Sequence, residues 1–566
     1  MLALVCEPLN STWRTLLMKV SQAFFCFRKN RLSILKILLF FSLLVTNFDL
    51  AYGCKLFGAS GYVTKDTITI IAKDRDLWGG KGQRIWYSPR ATHETGEVIE
   101  FRHITVDQCS LTYKSIATNS IVKDQTTGYG INEYGLAMIS HDMDSWDDDS
   151  LGSEYFHDQD YAALALARCK NASEAIDLFD ELILPYGINA EAYLIADSSS
   201  LWLMETTGFN YVAKPIIDDV ISCKYLQFNI RKEWDDEGNR CNSDILANAQ
   251  AHGCNIDTLD FAECFGNRPP GVCDPDLLAL KDRGNITVED MRFLLRDNAG
   301  ANTVSACVIP VRRDKNHLYL SVMWDSRANP KYGNVFLPFW IAIDNTALPE
   351  HYTSWPLDDL DCAWNKFNKI TEVSDLRDAA QPIWQALQAE LDAEFDTVEA
   401  TMQTYLDSND LAGLQAYIDE YIFGQLDSAY NKALEIIDNA GVPTPVTDLT
   451  SIRAGKDLML EWSEVTMDGL GNPVTVDRYY IYREVELFSK PGIQPFDTTA
   501  VDFYIDESGV IGDPGTQYRY WVTAIAGSKK SGPSGKVGEF DRQLSALKQS
   551  GAAGLGPYCD LMNGKR

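Results

Sequence analysis

The sequence predicts an α+β region followed by a helical segment and an all-β domain, and three patterns support this. From residue 54 to about residue 344, short β-branched or alternating runs such as "TITIIAKD" and "LWLMETT" are bounded by Gly, Asn or Asp, with helical stretches between them. Residues 374–441 change to long helical periodicity, rich in Ala, Leu, Glu and Gln. After Pro443, runs such as "VDRYYIYREV" alternate between turns. Strands with interspersed helices, without a repeated βαβ order, indicate α+β layers.

The size and composition of the chain indicate several folded domains. Its 566 residues exceed one hydrophobic core, and 45% hydrophobic with 11% aromatic residues is typical of globular protein. The predicted parts are a leader at 1–53, a strand-and-helix domain at 54–373, a helical extension at 374–441, a β domain at 442–541 and a tail at 542–566. With 50 basic and 80 acidic residues, the net charge of −30 argues against nucleic acid as a partner.

The first 53 residues have the features of an export signal. A basic cluster at residues 28–31 precedes the uncharged apolar run Ile37–Val45, and Ala51-Tyr52-Gly53 then gives small residues at positions −3 and −1 of a cleavage site. The apolar run is short for a permanent bilayer span, and no later segment of about 18 apolar residues follows it. The sequence therefore predicts a signal peptide, a secreted or periplasmic location and no stable membrane span.

Cleavage after Gly53 would make Cys54 the first residue of the mature chain. Its thiol and a free α-amine would then share one carbon, and an amine with a pKa of about 7.7–8.0 accepts the thiol proton near neutral pH without a histidine. Such a nucleophile also needs a cation that favours the thiolate and a carboxylate that orients the ammonium. Lys73, Arg75 and Asp76 supply both, and an antiparallel strand pair would bring them beside Cys54. A lipid-anchored or structural cysteine is the alternative.

The other cysteines and the acidic runs predict no metal and no cofactor. Of 13 cysteines, four crowd one loop-rich stretch and are expected to form disulfides: Cys241, Cys254, Cys264 and Cys273. Their spacing has no CxxC pair and no paired histidines nearby, which is unfavourable for zinc. The acidic run Asp142–Ser150 offers carboxylate oxygens for Ca²⁺, but it lacks the glycine and terminal glutamate of an EF-hand, so a solvated loop is favoured.

Five blocks of the sequence follow one another in an order that resembles a known family. They are "IAKDRD" (Ile71–Asp76), "GYGINEYGLAM" (Gly128–Met138), "LWLMETTGFNYVAKPIIDD" (Leu201–Asp219), "FLLRDNAGANTVSACVIPV" (Phe293–Val311) and "VFLPFWIAI" (Val335–Ile343). From Cys54 to about residue 440, the chain resembles the C69 dipeptidases. These are a branch of the N-terminal-nucleophile (Ntn) hydrolases, related to choloylglycine hydrolases and penicillin V acylases.

The resemblance implies a fold and a mechanism. The fold would be the four-layer αββα arrangement of Ntn hydrolases, with residues 374–441 as a helical extension. The reaction would be amide hydrolysis through an acyl-enzyme on Cys54, whose own amine is the general base. Asp76 would hold that amine, and Lys73 would support the thiolate or the substrate. Arg75 stands at a variable position of the family and would be an additional cation.

The oxyanion hole is where the sequence departs from the family pattern. The family's asparagine aligns nearest Leu226, and Asn229, three residues further on, is the remaining candidate donor. Asp74 stands where the family has an asparagine, and so does Asp142 relative to the bile-salt branch. These departures favour a diverged specificity.

The C-terminal domain resembles a fibronectin type III domain, which is a β-sandwich. Trp462 in its second strand, Tyr518 and Tyr520 in the "YRYWVTAI" strand, and the "SGPSG" that follows carry this resemblance. Such domains are usually spacers or binding modules. A surface glycan or a protein would be the ligand here, and homo-oligomerisation is left open.

The function expected from these observations is an exported cysteine dipeptidase that acts on small peptides. Two alternatives remain open. One is an acylase or acyltransferase on N-acyl substrates of the penicillin V, bile-salt or acyl-homoserine-lactone type, and the other is a non-catalytic surface lipoprotein or binding protein. The substrate pocket separates the enzymes, because a dipeptidase must hold a free α-ammonium with carboxylates, whereas an acylase pocket should be apolar.

Overall fold

The computed structural model describes residues 54–77, 82–120, 128–147, 151–224, 226–313, 318, 320–341, 348–356, 358–484, 494–511 and 518–538. The predicted leader and the tail at 542–566 lie outside these residues. The part that is described mixes helix and sheet, as the sequence predicts. None of its helices combines the length and the apolar character needed to cross a membrane.

In the first region, a run of strands precedes the first described helix, and helices and strands are interspersed after it. The strands are β1 Lys55–Ala59, β2 Thr69–Asp76, β3 Gln83–Ser88, β4 Ala91–Thr92, β5 Val98–Glu100, β6 Thr105–Asp107, β7 Leu111–Thr112, β8 Ser115–Ser120, β9 Tyr129–Asn132, β10 Ala137–Asp142, β11 Ile188–Ala196, β12 Leu201–Gly208, β13 Asn210–Pro215, β14 Val220–Lys224, β15 Arg240–Cys241, β16 Thr303–Val311, β17 Val322–Ser326 and β18 Leu337–Trp340. The helices are α1 Asp158–Arg168, α2 Ala172–Leu178, α3 Ile245–Ala251, α4 Phe261–Phe265, α5 Pro275–Arg283, α6 Val288–Asn298, α7 Glu350–Thr353, α8 Ala363–Glu372, α9 Ser374–Asp407 and α10 Leu411–Asn439.

Two antiparallel sheets form the frame of this region. The first has the strand order β14-β1-β2-β16-β17-β18, and the second has the order β15-β13-β12-β11-β10-β9-β8-β3. In the first sheet, β1 lies between β14 and β2, so that Lys55 is opposite both Lys224 and Asp74. The start of β1 is therefore enclosed by strands on both sides.

The sheets pack against each other and each also packs against helices. Strand β10 contacts β1 and β2, whereas α1 contacts β9, β10 and β11, and α6 contacts β2 and β16. The side chains alternate accordingly. Ile139 of β10 belongs to the core shared with Leu56 and Ile71, and the adjacent Met138 packs in a second core with Leu164 of α1. Both faces of β10 are buried, which explains its apolar start.

The helices begin at residues that satisfy their free backbone donors. The hydroxyl of Thr287 accepts a hydrogen bond from the Asp290 N–H at 3.2 Å, and the Asp290 carboxylate accepts one from the Thr287 N–H at 2.8 Å. The long helices α9 and α10 follow without a strand between them, and α9 continues through Pro382. Both helices pack against each other and against α8.

The C-terminal region is all-β within the described residues. Its strands are β19 Thr450–Ala454, β20 Asp457–Glu461, β21 Arg478–Glu484, β22 Asp497–Thr499, β23 Phe503–Asp506, β24 Arg519–Ala526, β25 Lys529–Lys530 and β26 Val537–Gly538. One sheet has the order β19-β20-β23 and the other β22-β21-β24-β25, with β26 also paired to β24. Leu460, Trp462, Ile481 and Tyr520 from these sheets and their connections share one hydrophobic core.

Candidate active site

The pairing of β1 with β2 places Cys54 next to the "KDRD" segment. The antiparallel register sets Lys55 opposite Asp74 and Leu56 opposite Lys73. The N–H of Asp76 lies 3.3 Å from Sγ of Cys54, and the carbonyl oxygen of Asp76 lies 3.8 Å from the same sulfur. Cys54 is buried. The geometry assumed from the sequence, an antiparallel pair that brings the charged segment beside the cysteine, is thus the geometry found.

Lys73 is the cation that acts on the thiol. Its side chain is buried, and its Nζ donates a hydrogen bond to the carbonyl oxygen of Ser140 on β10. Burial raises the pKa of the Cys54 thiol to about 12, and the charge of Lys73 opposes that rise. Asp76 and Asp142 raise the pKa further. In the chain with Cys54 still joined to Gly53, the thiol is therefore protonated at neutral pH.

The two aspartates of the segment have different partners. The Asp76 carboxylate accepts a hydrogen bond from the Thr303 hydroxyl at 2.6 Å. The buried Asp74 carboxylate accepts one from the backbone N–H of Lys55, the residue directly after Cys54, at 2.5 Å. Burial raises the pKa of Asp74 well above its usual range, and Asp76 adds to the rise. The sequence points to Asp76 as the carboxylate near the chain start, but it misses the contact of Asp74.

Arg75 packs closely against Gly128, the first residue of the "GYGINEYGLAM" block. Its Nη1 donates a hydrogen bond to Oε1 of Gln83 at 3.0 Å. A Cβ placed on Gly128 would lie 1.6 Å from Nη1 of Arg75, so a larger residue there would displace the guanidinium. The first glycine of the block is explained by this close approach.

The rest of the same block builds the hairpin that carries β10. The amide of Asn132 donates to the carbonyl oxygens of Leu166 and Cys169 at 2.9 and 2.8 Å, and its oxygen accepts from the Leu136 N–H at 3.1 Å. Gly135 has a φ of 76°, which the turn requires. The motif fixes β10 relative to α1, and β10 in turn presents the carbonyl that receives Lys73.

Asn229 is held by a neighbouring carboxylate. Its side-chain Nδ2 donates to Glu205 at 2.9 Å and to the carbonyl oxygen of Gln227 at 3.4 Å, and its backbone N–H donates to Glu205 at 2.7 Å. Leu226, at the position where the family has asparagine, has a φ of 67°, and its N–H donates to the carbonyl oxygen of Asp142 at 3.1 Å. The role of Asn229 as oxyanion donor stays a prediction, and its amide hydrogens already have acceptors.

A cluster of three carboxylates lies at the far end of β10. Asp142 of β10 is directly opposite Glu191 of β11, and Asp158 is the first residue of α1. One oxygen from each of the three lies within 4.8 Å of the others, so that they could hold a cation. Glu191 and Asp158 are buried, whereas Asp142 is exposed to solvent. We call these three residues the carboxylate cluster.

The pKa values of two of the three carboxylates are raised. Burial raises the pKa of Glu191 well above its usual range, and the charges of Asp158 and Asp142 add to the rise. Loss of hydration beside these buried groups and the charge of Asp158 likewise raise the pKa of Asp142, although part of its side chain reaches solvent. Asp158 behaves differently: burial opposes its ionisation, but His157 lowers its pKa to about 2. The same ion pair raises the pKa of His157 to about 9.

The acidic run predicted as a solvated loop divides between two environments. Asp142 joins the carboxylate cluster, whereas Asp144 pairs with Arg268 at the surface at 2.9 Å. Residues 148–150 lie outside the described residues. Glu191 and Asp158 were missed by the sequence reasoning, although a glutamate inside the apolar strand "INAEAYLIA" was a visible signal.

One of the expected disulfides is present among the described cysteines. Cys254 and Cys264 are bonded, with their Cα atoms 5.9 Å apart. Cys241 and Cys273 have free thiols, and the Ser222 hydroxyl donates to Sγ of Cys273 at 3.6 Å. The crowding of four cysteines therefore predicts one bridge correctly and does not predict which two cysteines form it.

Comparison with known families identifies part of the chain. Residues 61–270 match the model of peptidase family C69. The family resemblance seen in the sequence is confirmed over this segment, which contains β2, the β9–β10 hairpin and β11. This match supports a hydrolase that acts on amide bonds. Cys54 precedes the matched residues.

Solved structures of low similarity include two hydrolases and a multidomain kinase region. A mutant conjugated bile acid hydrolase from Clostridium perfringens is 12% identical, covers 51% of this chain and 92% of its own, and has a TM-score of 0.31. Penicillin V acylase from Agrobacterium tumefaciens is 15% identical, and the match covers 52% of this chain and 87% of the acylase with a TM-score of 0.27. The twitchin kinase region from C. elegans is 18% identical, with 17% and 16% covered and a TM-score of 0.15.

Proposed function

We propose that this protein is an exported cysteine dipeptidase, which hydrolyses small peptides through an acyl-enzyme on Cys54 after the leader is removed. The observation that carries the proposal is the position of Cys54. It follows the cleavage motif directly and is buried immediately before β1. The positive charge of Lys73 favours its thiolate. A secreted or periplasmic location is part of the proposal.

The mechanism uses both groups of the first residue. The free amine of Cys54 takes the thiol proton, and the thiolate attacks the scissile carbonyl carbon. The tetrahedral intermediate collapses, the C–N bond breaks, and the ammonium of Cys54 gives the proton to the leaving nitrogen. Water, which loses a proton to the amine, then attacks the thioester, releases the acid and restores the thiol. Lys73 favours the thiolate throughout.

Leader removal would then switch the enzyme on. Before the cut, the nitrogen of Cys54 is an amide without basic character, and burial holds the pKa of the thiol at about 12. The cut supplies an amine with a pKa of about 7.7–8.0 on the same residue. It also places a positive charge next to the thiol, which lowers the thiol's pKa. The nucleophile and its base thus arise in one step.

The four-layer αββα fold and the fibronectin type III-like domain belong to the same proposal. The packing of β10 on β1 and β2 supports the two inner layers. Helix α1 against the second sheet, and helices α5 and α6 against the first, support the two outer layers. The C-terminal domain would bind a surface glycan or a protein.

The dipeptide is favoured over an N-acyl substrate because of the carboxylate cluster. Asp142 acts on the pKa of Cys54, so a charged side chain faces the region of the nucleophile. An acyl chain would gain nothing from such a neighbour, since burying apolar atoms beside a carboxylate removes water from the charge. A free amino group gains an ion pair there.

Intact mass and N-terminal sequencing of the secreted protein, followed by kinetics on dipeptides, test the proposal. We expect a chain that starts at Cys54 with an unmodified amine, and a loss of kcat/KM of about 10⁴-fold or more in Cys54→Ala. Cys109→Ala is the matched control, because Cys109 is also a free thiol and lies between β6 and β7. A chain that starts elsewhere, a lipidated Cys54, or activity retained in Cys54→Ala would contradict the proposal.

A further inference from the structure

We propose that Asp142, Asp158 and Glu191 bind the α-ammonium of the substrate and so select peptides with a free amino terminus. This inference rests on the proposed dipeptidase function and names the group of the substrate that this enzyme recognises. The hydrolytic steps alone do not involve the carboxylate cluster, and this inference assigns it a role in substrate recognition.

Glu191 is the strongest sign of a missing partner. Its side chain is completely buried, and among the described residues neither carboxylate oxygen has a hydrogen bond of ordinary geometry, although the Ser140 hydroxyl is close enough to oppose the rise of its pKa. A buried carboxylate without donors is costly, because it loses its hydration and receives nothing in return. Asp142 lies directly opposite on the neighbouring strand, and like charges at such positions repel. A bound cation removes both penalties at once.

The position of the cluster relative to Cys54 suits a dipeptide. Lys73 is near both, since it donates to Ser140 on β10 and its charge acts on both the thiol and Glu191. Asp142 is open to solvent, while Glu191 beside it is buried. Asp142 is therefore the member of the cluster that an incoming ammonium would meet first, and the carbonyl of the same substrate residue would be the one that Cys54 attacks. In an α-amino acid, only one carbon separates these two groups.

Charge favours an ammonium over a divalent metal. An ammonium has three N–H donors, which suits one oxygen from each of the three carboxylates within 4.8 Å of one another. His157 already pairs with Asp158 as an imidazolium, because Asp158 raises the pKa of His157 to about 9. Beside the His157 imidazolium, the single positive charge of an ammonium is repelled less than the double charge of a divalent cation.

Kinetics with L-alanyl-L-alanine and its N-acetyl derivative test the inference in the mature protein. For Glu191→Gln and Asp142→Asn, we expect kcat/KM for the free dipeptide to fall about 30-fold to 1,000-fold. The value for the acetylated dipeptide should stay the same or rise, so the preference for a free amine collapses. Asp144→Asn is the matched control, because Asp144 belongs to the same acidic run but pairs with Arg268 at the surface. It should keep the wild-type preference.

A binding measurement separates recognition from chemistry. Titration calorimetry in a Cys54→Ala background should show the free dipeptide binding at least tenfold more weakly when Asp142→Asn is added. Because Asp142 is exposed, this variant keeps the test valid if Glu191→Gln does not fold. An unchanged preference for the free amine in the folded variants would overturn the inference. So would wild-type activity that is lost on dialysis against EDTA and restored by CaCl₂, which would assign the cluster to a metal.

Failure of the dipeptidase proposal gives a different result. If the wild type hydrolyses penicillin V or another N-acyl amide but no dipeptide, then the proposed function and the inference both fall. If the wild type hydrolyses dipeptides and the variants discriminate as it does, the function stands and only the subsite falls.

Discussion

Asp506 in the C-terminal domain and Glu191 in the carboxylate cluster are both buried acids, yet their surroundings are opposite. Asp506 accepts hydrogen bonds from Arg483 at 2.7 Å, from the Tyr520 hydroxyl at 2.5 Å and from the Ser508 N–H at 3.0 Å. Burial opposes its ionisation, but these donors lower its pKa. At Glu191, burial and two neighbouring acids raise the pKa instead. The donors around Asp506 fit a structural acid, and their lack at Glu191 fits the proposed ammonium site.

The buried acids differ in their hydrogen-bond donors, and this difference does not follow the boundary between the two domains. In the first region, Asp325 accepts from Arg327 at 2.5 Å and from the Tyr129 hydroxyl at 2.6 Å, and all three side chains are buried. In its hydrogen-bond donors Asp325 therefore resembles Asp506, although it lies in the same domain as Glu191 and burial raises its pKa. This makes three buried acids whose substitution should have different consequences for stability.

The largest effect is expected at Asp325. Asp325→Asn leaves the buried Arg327 without its counter-charge, and breaking such a pair costs about 3–5 kcal/mol in the free energy of unfolding. Urea unfolding followed by circular dichroism measures it. Asp361→Asn is the control, because its pair with Lys366 is at the surface with Asp361 81% exposed, and such pairs contribute at most about 1 kcal/mol. Equal losses in the two variants would contradict the comparison.

A smaller effect should separate Asp506 from Glu191. Asp506→Asn removes charged hydrogen bonds, each of which contributes about 1.5–3 kcal/mol, and it should lower the unfolding temperature of the C-terminal domain. Glu191→Gln removes a buried carboxyl group whose ionisation the site opposes, and it should leave the stability of the unliganded protein unchanged or raise it. Calorimetric scans without substrate compare both variants with the wild type. A loss of stability in Glu191→Gln as large as in Asp506→Asn would mean that Glu191 is a structural acid.

The surroundings of Cys54 could be predicted from the sequence because they depend on local features. One connection brings β2 back against β1, so the charged segment had to lie near Cys54. The family match confirms the resemblance for residues 61–270, and the role of Cys54 as nucleophile stays a prediction. The alternation of apolar residues likewise predicted the mixture of strands and helices.

The carboxylate cluster could not be predicted in the same way because it depends on register. Asp142 faces Glu191 only in the register that β10 and β11 adopt, and a slip of one residue would move Glu191 to the other face. Asp158 belongs to helix α1 and not to either of these strands. The partner of Asn229 has the same origin, since Glu205 lies on a strand 24 residues away. Charges on separate elements become a site only through tertiary structure.

The smallest expected effect is a pH dependence of stability that arises from His157. It separates the carboxylate cluster further from Asp506, because none of the contacts of Asp506 given above is a histidine. The pKa of His157 is about 9 in the folded protein, against 6.5 as its ordinary value. Its contribution to stability is therefore fully present below about pH 6.5 and is lost as the pH rises through about 9. His157 is partly exposed, with 32% of its side chain accessible, so solvent screening leaves about 1 kcal/mol.

His157→Gln should remove that dependence. The wild type should lose a few degrees in unfolding temperature between about pH 6.5 and 9, whereas the variant should start lower and change less over the same range. Scans at constant ionic strength measure both, and His93→Gln is the control, because His93 forms a surface pair with the partly exposed Glu97. Parallel curves for wild type and His157→Gln would show that the imidazolium does not hold Asp158 in its charged form. The cluster would then carry one counter-charge fewer, and a divalent cation would fit it as well as an ammonium.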